Sequence, residues 1–258
     1  MKINSRSFQS HVIDLSNLNL PVVQNLIERS LEGRYMSMDE NPLYLLDVSE
    51  FSKAEYRSIL IQRCGMMYKS LATTNKLLND FSEELYSAHD VTNLVAESLG
   101  YKQKVPYVVG DRAIVPETGY TKKPASWLVL NHVQRASFNV EEKLVHLTCH
   151  TGFSLDVYMS KKQFEDAVCR AAHIYKIKSV LHNQIMLSYN YYYQRPSFKP
   201  KNIFDDKLMR LSYEYPDYTY NEALQQILQT VVTKHLKEIL GDGNPFFDEY
   251  KEKISKNI

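Results

Sequence analysis

The spacing of apolar residues changes along the chain, and this change most constrains the fold. Between residues 105 and 158 apolar and polar residues alternate, as in strands that bury one face. On both sides of this segment apolar residues recur every three or four positions, as in helices that bury one face. The sequence therefore predicts an α+β fold, in which an antiparallel sheet of about four or five strands (residues 105–158) is flanked by N-terminal and C-terminal helices.

The same pattern divides the chain into three regions. Residues 1–104 are predicted to be a helical N-terminal region, in which residues 49–80 are largely compatible with helix. Residues 105–188 are predicted to form a core of the sheet and one helix, which begins at a Ser160-x-x-Gln163 capping box. Residues 189–258 are predicted to be a tyrosine-rich linker followed by a helical C-terminal extension.

Turn residues separate the predicted strands. The Gly110-Asp111 pair predicts a hairpin, and residues 126–138 are predicted to form one long strand. Residues 144–149 and 153–157 are predicted to pair with each other across a tight turn.

Hydrophobicity and cysteine content indicate a compartment. No stretch approaches the roughly 18 uninterrupted apolar residues of a membrane span, and the opening residues lack an apolar signal region. Cys64, Cys149 and Cys169 are far apart and form no CxxC motif, so they predict neither a disulfide framework nor a zinc site. We expect a cytoplasmic protein that does not contact membranes.

Positive charge is concentrated in the middle of the chain. The whole chain carries a net charge of +1, but residues 101–202 contain 15 lysines and arginines against 7 acidic residues. This segment is therefore +8, and the remainder of the chain is −7. A cationic face gains affinity for nucleic acid by releasing condensed counterions, so a polyanionic partner is one interpretation and an ordinary solvated surface is the other.

The candidate DNA-binding residues lie on the predicted strand 126–138, on one face of the helix that begins after Ser160, and in the loops around them. Lysine and arginine side chains are suited to phosphates, and the amide of Asn131 is suited to reading a base edge. A solvated helix face and a tyrosine-rich packing segment are the alternatives. The residues expected to contact DNA are Lys122, Lys123, Asn131, Arg135, Lys161, Lys162, Arg170, Lys176, Lys178, Arg195, Lys199 and Lys201.

Motifs for catalysis and metal binding are missing from the sequence. No GxxxxGK[ST], GxGxxG, HExxH or GxSxG pattern occurs. His146, Cys149 and His150 are close in sequence, but on a strand the two histidines point to one side and the cysteine to the other. Two ligands do not complete a zinc site. The sequence therefore predicts no catalytic residue, no cofactor, no metal and no enzyme activity.

Two segments resemble the ComK family, the competence transcription factors of Firmicutes. They are KVPYVVGDRAIVPETGYTKKPASWLVLNHV (104–133) and LVHLTCHTGFSLDVYMSKKQFEDAVCRAA (144–172). The similarity lies in the Val115-Pro116-Glu117-Thr118 step, the Trp127-Leu128-Val129 strand, the turn glycine Gly152 and the Ser160-to-Phe164 helix start. It extends over about residues 55–180.

The resemblance implies a transcription regulator that activates competence (DNA-uptake) genes by binding A·T-rich double-stranded DNA, largely through the minor groove. It also implies a homodimer or higher oligomer, and control by a Clp protease adaptor. Two alternatives stay open. One is a non-enzymatic protein-interaction or adaptor module on the same fold, and the other is a nucleic-acid enzyme without a recognisable motif.

Overall fold

The computed structural model of the chain describes residues 12–32, 42–51, 55–84, 89–120, 123–188, 200–214 and 220–240. In these residues the fold is α+β, as predicted, with helices packed around one four-stranded and one seven-stranded sheet. The strands are β1 (Val12–Leu15), β2 (Leu31–Glu32), β3 (Pro42–Asp47), β4 (Ser58–Gln62), β5 (Met67–Ser70), β6 (Tyr107–Val109), β7 (Arg112–Pro116), β8 (Trp127–Val129), β9 (Val133–Asn139), β10 (Leu144–Cys149) and β11 (Ser154–Tyr158). The helices are α1 (Leu20–Arg29), α2 (Thr74–Glu84), α3 (His89–Ser98), α4 (Lys161–Ser188), α5 (Ile203–Glu214) and α6 (Tyr220–Leu240).

The four-stranded sheet has the order β1-β11-β10-β9. β9, β10 and β11 form an antiparallel meander, and β1 adds to β11 in parallel. Alternate residues such as Val145, Leu147 and Leu155 are buried on the inner face, and Arg135 and His146 lie on the outer face. The predicted pairing of residues 144–149 with 153–157 is confirmed, with Gly152 at a φ of 80° in the turn.

The seven-stranded sheet has the order β2-β5-β4-β3-β8-β7-β6. Its two faces pack against different hydrophobic clusters, so that Ile59 and Ile61 contribute to one cluster and Leu60 to the other. The predicted Gly110-Asp111 hairpin is confirmed by the antiparallel pairing of β6 with β7. Both sheets contain parallel as well as antiparallel pairs, so the prediction of a purely antiparallel sheet is wrong.

The N-terminal region contains the helices α1, α2 and α3, but it also contains five strands, β1 to β5, that the helical prediction does not include. Residues 49–80, predicted to be helix-compatible, contain β4 and β5 before α2 begins at Thr74. The reason is that β3 and β4 are buried on both faces, so their sequences are continuous apolar runs without alternation. Short runs of this kind cannot be distinguished from buried helix by periodicity.

Residues 126–138 are not one strand, which also differs from the prediction. β8 belongs to the seven-stranded sheet and β9 to the four-stranded sheet, and a 3-10 turn at Leu130–His132 separates them. The side chain of Asn131 fixes this turn, because its Oδ1 accepts from the Ala113 amide at 2.7 Å and its Nδ2 donates to the Asp111 carbonyl at 2.6 Å. The chain therefore passes from one sheet to the other at Asn131, which the alternating pattern places on one face of a continuous strand.

The predicted capping box at the start of α4 is confirmed. The Ser160 hydroxyl accepts from the Gln163 amide at 3.3 Å, and the Gln163 side chain accepts from the Ser160 amide at 3.1 Å. The residues that follow the helix in the predicted linker, 189–199, lie outside the described part of the chain. The predicted C-terminal helix is present as α6, preceded by α5.

The largest hydrophobic cluster contains residues from both sheets and from several helices. Leu155 of the four-stranded sheet, Leu128 of the seven-stranded sheet, Val23 of α1, Phe164 of α4 and Phe204 of α5 all belong to it. Residues from all three predicted regions therefore share one core. In the described residues, no helix is both long enough and apolar enough to cross a membrane.

Candidate functional site

The predicted DNA-binding residues do not lie on one surface. Arg135 of β9 is opposite Thr148 of β10, close to the turn that leads into β11. Lys161 and Lys162 begin α4 just after β11 ends, and the end of β11 is paired with Leu144 at the start of β10. Leu144 and Thr148 are four residues apart, or about 13 Å along an extended strand. The predicted strand and helix surfaces are thus at opposite ends of the four-stranded sheet.

The end that carries Lys161 and Lys162 has charges of both signs. The Lys161 ammonium lies 3.8 Å from the Glu165 carboxylate and 5.7 Å from the centre of the Phe138 ring. Lys162 is exposed. The β9–β10 turn at the same end brings the exposed Lys143 together with two exposed glutamates, Glu141 and Glu142. This end of the sheet therefore offers a polyanion little net positive charge.

Three predicted contact residues are used inside the fold. The Lys178 ammonium donates to the Val108 carbonyl at 2.5 Å and to the Thr92 hydroxyl at 3.0 Å, and its burial lowers its pKa to about 8. The Lys176 ammonium donates to the Leu211 carbonyl at 3.2 Å. Together with the Asn131 amide described above, these side chains connect structural elements, and their polar atoms are directed at protein groups.

The remaining predicted residues are dispersed. The Lys123 ammonium pairs with Glu50 at 2.6 Å on the surface, and Lys201 is exposed just before α5. The Arg170 guanidinium donates to the Gln103 carbonyl at 3.1 Å and lies 5.7 Å from the centre of the Tyr101 ring. The predicted contacts that fall outside the described residues are Lys122, Arg195 and Lys199.

Two arginines from separate segments, Arg63 and Arg112, act on His132 beside the other end of the four-stranded sheet. There the β4–β5 turn packs against the β10–β11 turn, because the Thr151 hydroxyl donates to the Arg63 carbonyl. A Cβ atom on Gly65 would lie 3.0 Å from the Phe153 ring, which shows how closely the turns approach. Arg63, Arg112 and His150 act on His132, and Arg135 is on β9, the strand that follows it; we call these four residues the basic end.

The electrostatic effect of the basic end appears at His132, in the 3-10 turn. Burial, together with the positive charges of Arg63 and Arg112, lowers the pKa of His132 to about 4, and the negative charge of Asp111 acts in the opposite direction. His132 is therefore neutral near pH 7. The guanidinium of Arg112 also lies 5.1 Å from the centre of the Phe81 ring.

Sequence reasoning did not find the basic end as a site. Arg63 lies outside the positively charged segment, in a region predicted to be helical, and only the fold brings it near β7 and β10. Arg112 is part of the positively charged segment, but it is not among the residues predicted to contact DNA. Arg135 is the residue shared by the prediction and this surface.

The histidines and the cysteine near the β10–β11 turn have separate environments. His146 Nδ1 is 2.5 Å from the Asp156 carboxylate on the neighbouring strand. Cys149 is buried on the opposite face, and burial raises the pKa of its thiol to about 12, so the thiol stays protonated. Among the described residues, no three histidine, cysteine, aspartate or glutamate side chains are grouped to hold a metal ion.

A cleft of about 150 Å³ lies between α4 and the end of β7. Burial raises the pKa of Glu117, on its wall, to about 7, while the Tyr44 hydroxyl and the charge of Lys104 act in the opposite direction. Tyr44 hydrogen-bonds both Glu117 and Ser126. The cleft is lined by Gln103, Lys104, Pro116, Glu117, Gln163, Asp166, Ala167 and Arg170.

Glu117 has the protonation behaviour of a functional carboxyl group. A pKa of about 7 means that both its acid and its carboxylate forms are populated near neutral pH. Such a group can donate or accept a hydrogen bond to a bound molecule, or serve as a general acid or base. Local sequence gives no sign of this behaviour, because the Tyr44 hydroxyl that hydrogen-bonds Glu117 belongs to β3, far away in sequence.

Comparison with protein-family models, with curated proteins and with solved structures finds no match to this chain. What can be inferred about its function therefore depends on the positions and charges of its own residues.

Proposed function

We propose that the protein is a DNA-binding transcription regulator that contacts the phosphates of duplex DNA through the basic end. The observation that carries this proposal is that the charges of Arg63 and Arg112 both act on His132, with Arg135 and His150 on the adjoining strand and turn. The resemblance to the ComK family supports the further expectations of A·T-rich sites, activation of competence genes and assembly as a homodimer or higher oligomer.

The chemistry of the basic end suits phosphate. A guanidinium has five N–H donors in a planar fork and stays charged at every physiological pH, so it pairs well with phosphate oxygens. Arg63 and Arg135 are both exposed, and Asp111 is the acid whose charge opposes the arginines at His132. Three arginines and one aspartate leave this surface with a formal charge of +2.

The position of the basic end also suits duplex binding. Its residues are in short turns or on strands, so each lies within a few positions of a hydrogen-bonded strand pair. A rigid base of this kind keeps the entropic cost of ordering the arginines small on binding. Phosphate contacts position a protein on the duplex, and preference for A·T-rich DNA would come from groove shape.

A salt series of DNA-binding measurements tests the proposal, with A·T-rich and mixed-sequence duplexes of equal length. Affinity should fall steeply as salt rises, with a slope of about −0.9 in log–log units for each phosphate contact. Arg63→Gln and Arg135→Gln should each weaken binding to all sequences and reduce the slope by about one. Preference for the A·T-rich duplex should persist in both variants.

Lys143→Asn is the matched control. It removes one positive charge at the opposite end of β10, and asparagine tolerates the backbone φ of 54° that Lys143 adopts. The control should bind DNA like the wild-type protein. If no duplex is retarded at low salt, DNA binding is wrong and the protein-interaction module becomes the better description. If Lys143→Asn weakens binding as much as Arg63→Gln, the contact surface is not the basic end.

A further inference from the structure

The cleft beside Glu117 has one wall made by a single face of α4. Gln163, Asp166, Ala167 and Arg170 are spaced by three and four residues, so they lie one above the other along the helix. The opposite wall consists of Gln103 and Lys104, which precede β6, together with residues at the end of β7. The cleft is therefore bounded by elements that are far apart in sequence and fixed by the core.

Two cations on the cleft are positioned by backbone carbonyls. The Arg170 guanidinium donates to the Gln103 carbonyl at 3.1 Å, and the Lys104 ammonium donates to the Glu117 carbonyl at 3.2 Å. Each bond uses one donor, whereas a guanidinium has five N–H groups and an ammonium has three. Both side chains thus keep donors for a bound anion while their orientation is fixed by the protein.

An acidic group, Asp166, is on the same wall as Arg170. Asp166 is one helical turn before Arg170, and no ion pair joins these two side chains among the described residues. A simple anion in the cleft would meet the Asp166 carboxylate, and a simple cation would meet Arg170 and Lys104. A molecule that carries a positive and a negative charge a few bonds apart can pair with Asp166 and with the two cations at the same time.

The volume of the cleft limits the size of this molecule. A protein cavity of about 150 Å³ accommodates a molecule the size of benzene. A small amino acid such as alanine, with six non-hydrogen atoms, has this size. The walls next to such a ligand include the apolar Pro116 and Ala167, which suit a small aliphatic side chain.

We propose that this cleft binds a small α-amino acid as its zwitterion, with the carboxylate against Arg170 and Lys104 and the ammonium against Asp166. The Glu117 carboxyl adjoins the carboxylate position and donates a hydrogen bond to it when protonated. The proposal concerns a second site and does not depend on DNA binding at the basic end.

Calorimetric titration of the full chain with alanine tests this site, and pyruvate serves as a ligand of nearly equal size without the ammonium group. The wild-type protein should bind alanine saturably and pyruvate at least tenfold more weakly. Arg170→Met should weaken alanine binding by roughly tenfold or more, the effect of losing a charged hydrogen bond. Lys162→Met, on the same helix but outside the cleft, should leave alanine binding unchanged.

Asp166→Asn distinguishes a ligand contact from loss of folding. This variant should bind alanine less tightly but retain or improve its binding of pyruvate, because it removes a charge that attracts only the ammonium group. A folding defect would weaken both ligands together. The proposal is overturned if the wild-type protein binds no alanine at millimolar concentrations, if it binds pyruvate equally well, or if Arg170→Met binds alanine with unchanged affinity.

Discussion

Substitution of Glu117 by glutamine should stabilise the protein in a pH-dependent manner. Burial raises the pKa of Glu117 from 4.5 to about 7, so the folded state holds this proton more tightly than the unfolded state does. The raised pKa therefore contributes stability that is fully present below about pH 4.5 and is lost as the pH rises through about 7. A shift of this size corresponds to about 3 kcal/mol of unfolding free energy.

Glutamine removes this pH dependence while keeping the shape of the side chain. Its amide oxygen still accepts the hydrogen bond from the Tyr44 hydroxyl, so no new unsatisfied donor is buried there. Loss of the attraction between the Glu117 carboxylate and Lys104 offsets part of the gain at high pH. We expect Glu117→Gln to be close to neutral at about pH 5 and more stable than the wild type by up to about 3 kcal/mol at about pH 8.

Urea unfolding followed by tryptophan fluorescence measures this difference. Trp127 is the only tryptophan of the chain, is fully buried and contacts the rings of Tyr107 and Tyr120, so its emission reports loss of the core. Glu141→Gln, at an exposed glutamate in the β9–β10 turn, is the control and should show the same difference from wild type at both pH values. If Glu117→Gln changes the unfolding free energy equally at both pH values, the carboxyl group is not titrating as inferred.

Two residues next to the basic end, His132 and Gly65, give further predictions. In an NMR titration the His132 imidazole should protonate near pH 4, and Arg63→Gln should raise this midpoint while Lys143→Asn leaves it unchanged, because only Arg63 adds positive charge near the ring. Because the folded pKa of His132 is lowered, the stability that it contributes is present above about pH 6.5 and is lost as the pH falls through about 4. Gly65→Ala should cost about 1–2 kcal/mol in thermal unfolding, since Gly65 has a φ of 86° and its Cβ would press on the Phe153 ring. Gly110→Ala, with a φ of 57° and open space around it, should cost less, and equal costs would show that the Phe153 contact is unimportant.

The elements that could be predicted from sequence are those determined by neighbouring residues. The Ser160–Gln163 capping box and the Gly152 turn satisfy their hydrogen bonds or backbone angles within a few positions of the chain. β3 and β4 were missed because their burial comes from strands and helices far away in sequence. Local sequence patterns carry no information about burial by residues that are distant in sequence.

The division of residues 126–138 has a similar cause. The Asn131 amide binds backbone groups of Ala113 and Asp111, about twenty positions earlier, and this contact holds the turn between the two sheets. Alternation alone continues through Asn131, so the sequence pattern gave no sign of a break. A long-range hydrogen bond from one side chain thus decided where one strand ended and another began.

Charge patterns were the least reliable guide to the candidate sites. Lys176 and Lys178 are on a helix face that appears polar in sequence, but α4 packs against α3, α5, α6 and β7, so that both side chains meet protein groups. Arg63 and Arg112 are separated by 49 positions, and both act on His132 because the fold places them at the same end of the seven-stranded sheet. The number of charges in a sequence segment therefore does not show which side chains are exposed, because the fold decides this.

The two proposed sites are connected by one strand and can still be tested separately. β7 begins at Arg112 of the basic end, and Glu117 of the cleft follows directly after its last residue, about 17 Å away along an extended chain. β7 is paired on both sides, with β6 and β8, and is almost entirely buried. A side-chain substitution at one end of β7 should therefore leave the backbone at its other end in place. Substitutions at this separation that share no partner usually act additively. Arg63→Gln and Arg170→Met should therefore report on DNA binding and on alanine binding independently, and failure of one proposal leaves the other intact.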